Sequence, residues 1–334
     1  MVQLEYLKPI RENAVPVVFA ADNCFVPYFS ACLQSLLKHA SAERFYDLVL
    51  LHTNVTEENQ ARLLDMVVPY PYVSLRFFNA DALVYDYDLK TNGHISVETY
   101  FRFLIQKILP EYDKVLYLDC DLIVNADVGE LYETDVEGYL LAAARDPEFL
   151  GNLNGANPRI RRYILTELNM HQPENYFQAG VLLFNEQEMR KAHSLEQWLT
   201  FASKPYLYND QDVLNIYCEG RVKFLDMSWN LLTDCDHTRI SGVISHAPES
   251  IQREYFLARK DPKMIHYAGF RKPWQRPTED MAEYFWEAMR VTPFYEEALY
   301  NMSQFAADER ITESRRKRSP YWRFRRYLKK LLKK

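Results

Sequence analysis

The 334-residue chain predicts an α/β fold, a mostly parallel central sheet flanked by helices, followed by a C-terminal helical region with a basic tail. Three observations carry this expectation. Apolar runs of strand length alternate with segments of helical spacing between Pro16 and Asn79. A further buried-strand run, KVLYLDCDLIVN from Lys114 to Asn125, holds the acids Asp119 and Asp121 in its middle. From Ser314 to Lys334 there are eleven Lys/Arg and no acid.

In chain order, Pro16–Ala21 reads as the first strand and ends in Asp22-Asn23. Val26–Lys38 is helical, with Phe29, Leu33, Leu36 and Leu37 on one face. A strand at Asp47–Thr53, a helix opened by Thr56-Glu-Glu and a strand at Val73–Asn79 complete a β-α-β-α-β series, which places helices on both faces of a parallel sheet. Ligands of such sheets gather outside the carboxyl ends of the strands, so Asp22, Asn23 and Asn79 are candidates for a base and ribose.

Composition narrows the field. With 48% hydrophobic and 26% charged residues the chain is globular rather than disordered. Only nine glycines are present, and no glycine-rich phosphate loop among them, so phosphates would need a metal and cationic side chains. The five cysteines show no C-x-x-C spacing, which argues against a zinc or disulfide framework. Neither an apolar N-terminal signal core nor an 18-residue apolar run is present, so a cytoplasmic protein that spans no membrane is expected. The net charge of −6 conceals an acidic body, residues 1–313 carrying 29 basic against 46 acidic side chains. Nothing in that body suits nucleic acid.

Asp119 and Asp121 are the centre of the reading. Two carboxylates at i and i+2 of an extended segment point to one side, and near a buried strand they need a compensating charge. A divalent cation with oxygen ligands is the simplest compensation. Two solvated turn aspartates are the plainer alternative, and an aspartyl phosphatase loop has the same spacing. That loop also requires a downstream lysine and a second acidic pair, and no convincing G-D-x-x-x-D is present.

Around this pair stand further candidates. His94 to Arg102 leads into a helix reaching about Leu109, with Thr99 as its cap and Arg102 beside a dense apolar face, where a surface arginine covering apolar area is the plainer reading. Tyr139–Arg145 reads as a strand, and 150–160 as a loop able to act as a flap. Phe177–Asn185 is a buried strand whose Gly180 implies close backbone approach. Tyr208–Asn215 opens a helix with Asp210 as cap, Gln211 and Asp212 in its first turn. His266 ends a short apolar run and supplies a nitrogen ligand type, while Gly269 allows a tight turn before Lys272-Pro-Trp.

AADNCF at 20–25, HISVETYFR at 94–102, KVLYLDCDLIV at 114–124, NYFQAGVLLFN at 175–185, YNDQDVLN at 208–215 and HYAGFRKPW at 266–274 together resemble the family 8 glycosyltransferases, the bacterial lipooligosaccharide and lipopolysaccharide galactosyl- and glucosyltransferases in particular. The resemblance covers roughly 15–275, and with it the phosphatase reading falls. It implies a GT-A type nucleotide-sugar domain over 1–278, a UDP-hexose donor (galactose or glucose), Mn²⁺ with Mg²⁺ as substitute, and transfer with retention of configuration. Donor contacts implied by it are Ala20, Asp22, Asn23, Arg102, Asp119, Cys120, Asp121, Gln178, Ala179, Gly180, Gly269 and Lys272. The metal ligands are Asp119, Asp121 and His266, and Asp210 and Gln211 stand at the sugar with Asp212 as fallback nucleophile. Gln178 departs from the asparagine the family often has before Ala-Gly, leaving the donor hexose open.

Residues 279–334 are expected to form a helical region whose last part, 315–334, carries Tyr321, Phe324, Leu328 and Leu331 at helical spacing between cations. That pattern suits an anionic membrane surface. The expectation is a peripheral protein at the inner face of the cytoplasmic membrane, acting on a glycan or glycolipid acceptor. Alternatives are a protein or cell-wall glycan acceptor, its own tyrosine included, or a non-catalytic nucleotide-sugar-binding scaffold.

Overall fold

The computed structural model describes residues 6–91 and 96–318, with side chains to residue 312. His94, Ile95 and the aromatic positions of the basic tail lie outside the described residues.

Strand β1 (Val15–Ala20) is buried along nearly its whole length, and its side chains alternate between two cores. Val17 and Phe19 enter one, Val18 the other. β2 (Tyr46–His52) pairs parallel to it and β3 (Val73–Asn79) pairs parallel to β2, as the β-α-β-α-β series requires. The helix Val26–His39 covers one face with Phe29, Leu33, Leu36 and Leu37 buried. The helix Glu57–Val67 is capped by Thr56, whose side chain accepts from the Asn59 amide.

Beyond β1 lie β4 (Lys114–Leu118), β6 (Leu141–Ala144), β7 (Val181–Asn185) and β8 (Val222–Leu225). Among the described residues these strands form one sheet in the order β3-β2-β1-β4-β7-β6-β8. It is mostly parallel, with β7 antiparallel to both neighbours. A small second sheet, β5-β10-β9, is built from β5 (Leu122–Val124), β9 (Leu231–Leu232) and β10 (Met264–His266). The run Lys114–Asn125 thus contributes β4 to one sheet and β5 to the other, and Asp119 to Asp121 form the bend between them.

Three local expectations are corrected. The 150–160 stretch is a loop only at 154–157: Asp146 and Asn157 each accept an amide at a helix start and are followed by proline, giving helices Pro147–Leu153 and Pro158–Thr166 on either side. Thr99 does not cap its helix but lies inside the 3₁₀ turn Val97–Leu104. Asp210 does not cap the helix Asn209–Tyr217 either, since Tyr208 holds that position and the Asp210 carboxylate is directed elsewhere.

The C-terminal helices are joined to the first core. Phe285, Trp286 and Met289 of the helix Ala282–Met289, together with Phe294 and Ala298, pack into the same cluster as β1 and the helix Val26–His39. No helix among the described residues is long and apolar enough to cross a membrane. All five cysteines are unpaired.

Candidate active site

A cavity of about 880 Å³ opens where the carboxyl ends of β1 and β4 meet the ends of β7 and β10. The bend 119–121 is pinned from three sides. The Asp119 amide donates to the Gly180 carbonyl at 2.8 Å, the Tyr267 amide donates to the Asp121 carbonyl at 3.0 Å, and the Cys120 thiol donates to the Ala20 carbonyl at 3.2 Å. Both carboxylates are thereby turned toward His266, through a bend rather than through strand alternation.

His266 is buried, and its Nδ1 lies 2.8 Å from Asn230 Oδ1. Asn230 Nδ2 donates to Gln178 Oε1 at 2.8 Å, so its carbonyl oxygen is the end facing the imidazole and must accept. That fixes the proton on Nδ1 and leaves the Nε2 lone pair free to bind. Nε2 stands 3.2 Å from Asp121 Oδ1 and 3.7 Å from Asp119 Oδ2, and one donor atom from each of the three residues falls within 4.8 Å of the others. Two carboxylates and an imidazole nitrogen converging on one point fit a divalent cation. Gly180 makes room for them, because a Cβ there would overlap the His266 ring and come within 2.9 Å of Asp119 Oδ2.

Positive charge surrounds this cluster. Lys272 Nζ donates to Asp121 Oδ2 at 2.5 Å and to the Tyr267 carbonyl at 2.7 Å. Burial pushes the Asp121 carboxyl up, but the Lys272 ammonium beside it outweighs this and holds it well below the usual carboxylate range. Arg102 is only 4% exposed, so it is no surface arginine. Its guanidinium donates to Asp119 Oδ1 at 2.9 Å and to the Ala179 carbonyl at 2.5 Å, pairs with Asp210 Oδ2 at 3.0 Å and lies 4.2 Å over the Tyr117 ring. Burial opposes its charge, yet Asp210 and Asp119 keep it more firmly protonated than a free arginine.

In the same cavity Gln211 is clamped by both halves of its amide. Its Oε1 accepts the Ala179 amide at 2.9 Å and its Nε2 donates to Asp146 Oδ2 at 3.0 Å. Asp210 accepts the Thr99 hydroxyl, and burial raises its pKa to about 6 despite Arg102. Burial, with help from Glu148, raises the Asp146 pKa to about 6 as well.

Of the residues named from sequence, all but Asn23, Asn79 and Asp212 line the cavity. Asn23 Oδ1 accepts from the Thr56 amide and Asn59 Nδ2, bracing the start of the helix Glu57–Val67. Asn79 binds the Thr53 carbonyl and the Asp81 amide in the same structural way. Asp212 is fully buried and faces away, its oxygens accepting the hydroxyls of Tyr176 and Tyr163 at 2.6 Å each and the Tyr208 amide at 2.8 Å. This removes it as fallback nucleophile.

Sequence reading missed Asp146, Thr99 and Asn230. Asp146 had a signal, since it follows a buried apolar strand as Asp22 does. Asn230 had none: it reaches Gln178 and His266 across 52 and 36 residues.

The mostly parallel sheet with a carboxylate–imidazole cluster at its strand ends is the fold of GT-A glycosyltransferases, as the comparison with solved structures shows. The chain belongs to glycosyl transferase family 8, whose family model matches residues 16–278. It is similar in structure to the bifunctional glycosyltransferase WbbM in its apo form, with 32% identity, 89% of this chain covered and a TM-score of 0.79. This chain spans about half of that protein, 53% of its length. It is also similar to the galactosyltransferase LgtC, solved in complex with donor and acceptor sugar analogues, with 25% identity over 84% of this chain and 96% of that one and a TM-score of 0.66. In sequence it is 25% identical over 207 residues to the lipopolysaccharide 1,2-glucosyltransferase of Escherichia coli, covering 60% of this chain and 54% of that one.

Proposed function

We propose that the protein is a retaining, Mn²⁺-dependent hexosyltransferase that takes galactose or glucose from a UDP-sugar and adds it to a lipopolysaccharide or lipooligosaccharide core acceptor. One observation supports this above the others. The Asp119–Asp121–His266 cluster with Lys272 shares one cleft with Gln211, bound to Asp146, and with Asp210, joined to Asp119 through Arg102.

In this reading Asp119, Asp121 and His266 hold the divalent cation, which when bound supplies positive charge to the diphosphate leaving group. Ala20, Asp22 and Cys120 line the nucleoside end, and Gly269 lets the backbone turn close to the diphosphate at a φ of 113°. Lys272 carries a second fixed positive charge to the point where the departing oxygen gains electrons. Arg102, held on four sides, keeps Asp119 and Asp210 apart and oriented. Gln211 is a poor nucleophile because an amide is neutral, and both its ends are engaged, so it orients the sugar rather than attacking it. The acceptor hydroxyl then adds to the anomeric carbon on the face the UDP leaves, and its proton passes to the leaving phosphate oxygen. Gln178, Ala179 and Gly180 form the wall beside the hexose.

The same reading takes 1–278 as the catalytic domain and the basic 315–334 stretch as an attachment to anionic lipid at the inner face of the cytoplasmic membrane. A panel of UDP-sugars scored for UDP release, with Mn²⁺, Mg²⁺ or chelator, tests it. Mn²⁺-dependent release from UDP-galactose or UDP-glucose is expected, and no release from any UDP-sugar would sink it.

A further inference from the structure

The C-terminal helix Tyr295–Arg318 lies outside the 16–278 family match, yet it forms part of the cavity wall. Asn301 and Phe305, one turn apart, both line the cavity, and Asn301 Nδ2 donates to the Tyr28 hydroxyl at 3.3 Å. Tyr28 in turn stacks on Trp274, the rings 4.5 Å apart and 12° from parallel. One turn further along the helix, a single carboxylate oxygen of Glu309 accepts from Arg271 Nη1 at 2.9 Å and from Arg276 Nη2 at 2.8 Å.

Those two arginines bracket Lys272. Arg271 precedes it directly, and the Arg276 amide donates to the Lys272 carbonyl at 3.0 Å. From the opposite side the buried Arg239 donates to the Ala268 carbonyl at 2.7 Å. The segment 268–276, which carries Gly269 and Lys272, is therefore held between an inner anchor at Arg239 and an outer one at Glu309.

We infer that Glu309 is a positioning residue for the nucleotide end of the site, fixing the segment that carries Lys272 from a helix outside the residues the family model matches. The inference rests on the nucleotide-sugar reading above. It also explains why two arginines converge on one acid at the edge of a cleft whose Asp119, Asp121 and Asp210 are already paired. Coulomb attraction to both guanidinium groups acts only through the placement of 268–276, since Glu309 itself does not line the cavity.

The test uses the full chain and the variants Glu309→Gln, Glu309→Arg and Glu309→Arg/Arg276→Glu. Hydrogen exchange without ligand should be faster across 268–276 in Glu309→Gln, and unchanged exchange overturns the latch. Calorimetry with UDP and Mn²⁺ should show binding weakened about fivefold in Glu309→Gln, the scale of a partly exposed ion pair. Donor KM should rise in step while kcat holds, and the melting temperature should barely move. The double variant should recover affinity lost in Glu309→Arg. Equal UDP affinity in wild type and Glu309→Gln refutes the positioning role. A wild-type chain that bound no UDP would instead refute the nucleotide reading, and the exchange measurement would still decide the latch.

Discussion

His266 Nδ1 and Asn230 Oδ1 lie 2.8 Å apart, and that contact sets which imidazole nitrogen faces Asp119 and Asp121. Asn230 is in turn oriented by Gln178. Replacing Asn230 with Ala frees the ring to rotate and to change tautomer. Mn²⁺ affinity, read by calorimetry, should fall about 10- to 100-fold while the fold persists. Unchanged affinity would show that the ring is held by packing alone.

Gly180→Ala tests the close approach behind the cluster. The new Cβ would overlap the His266 ring and stand 2.7 Å from its Nδ1, so ring or strand must shift. Metal affinity should drop about tenfold or more, with a stability loss of about 1–3 kcal/mol. A crystal structure of the variant with an undisturbed ring would contradict this.

Asp210 and Asp212 should separate cleanly in mutants. Asp212 accepts two tyrosine hydroxyls and an amide, so Asp212→Asn should cost about 1–3 kcal/mol in denaturant titration. Its turnover per folded molecule should survive. Asp210→Asn weakens the partner of Arg102 inside the cavity and should lower turnover with little change in stability. The reverse pattern would return Asp212 to the chemistry.

Glu186 carries a pH signature unrelated to catalysis. It is buried, its Oε2 has no hydrogen-bond partner among the described residues, and Arg190 Nη1 stands 3.9 Å away. Burial raises its pKa to about 7. Because the folded pKa exceeds the unfolded one, the native state holds this proton more tightly, and the associated stability is lost as pH rises through 7. Glu186→Gln cannot ionise. Its stability relative to wild type should therefore rise by on the order of 2–3 kcal/mol between about pH 4 and about pH 8. Parallel stability curves would refute the assignment.

Removal of 315–334 leaves Glu309 and the cavity wall in place. Binding to anionic vesicles should disappear in a flotation assay while hydrolysis of the donor is unchanged. Retained flotation would move the lipid contact to the body of the protein.

What could be read from sequence follows the range of the interactions involved. The apolar runs of β1 to β3 are written in consecutive residues, so those elements emerge with boundaries within a residue of those observed. Asp119, Asp121 and His266 could be singled out by type and by their place after apolar runs. The helices at 147–166 escaped because GNLNGANP has turn composition, whereas their starts depend on Asp146 and Asn157 accepting specific amides. Asp212 looked catalytic because adjacent acids in one helical turn are indistinguishable until tertiary partners are known. Glu309 shows the same limit, since nothing near it in sequence announces Arg271 or Arg276.

The bend at 119–121 has a mechanical consequence. Asp119 departs from the large sheet, whereas Asp121 and His266 belong to the margin of the small one. An ion gripped by all three would act as a rivet across that seam. Loading the site would therefore stiffen the whole protein against heat, and stripping it with chelator would loosen the joint before either sheet frays.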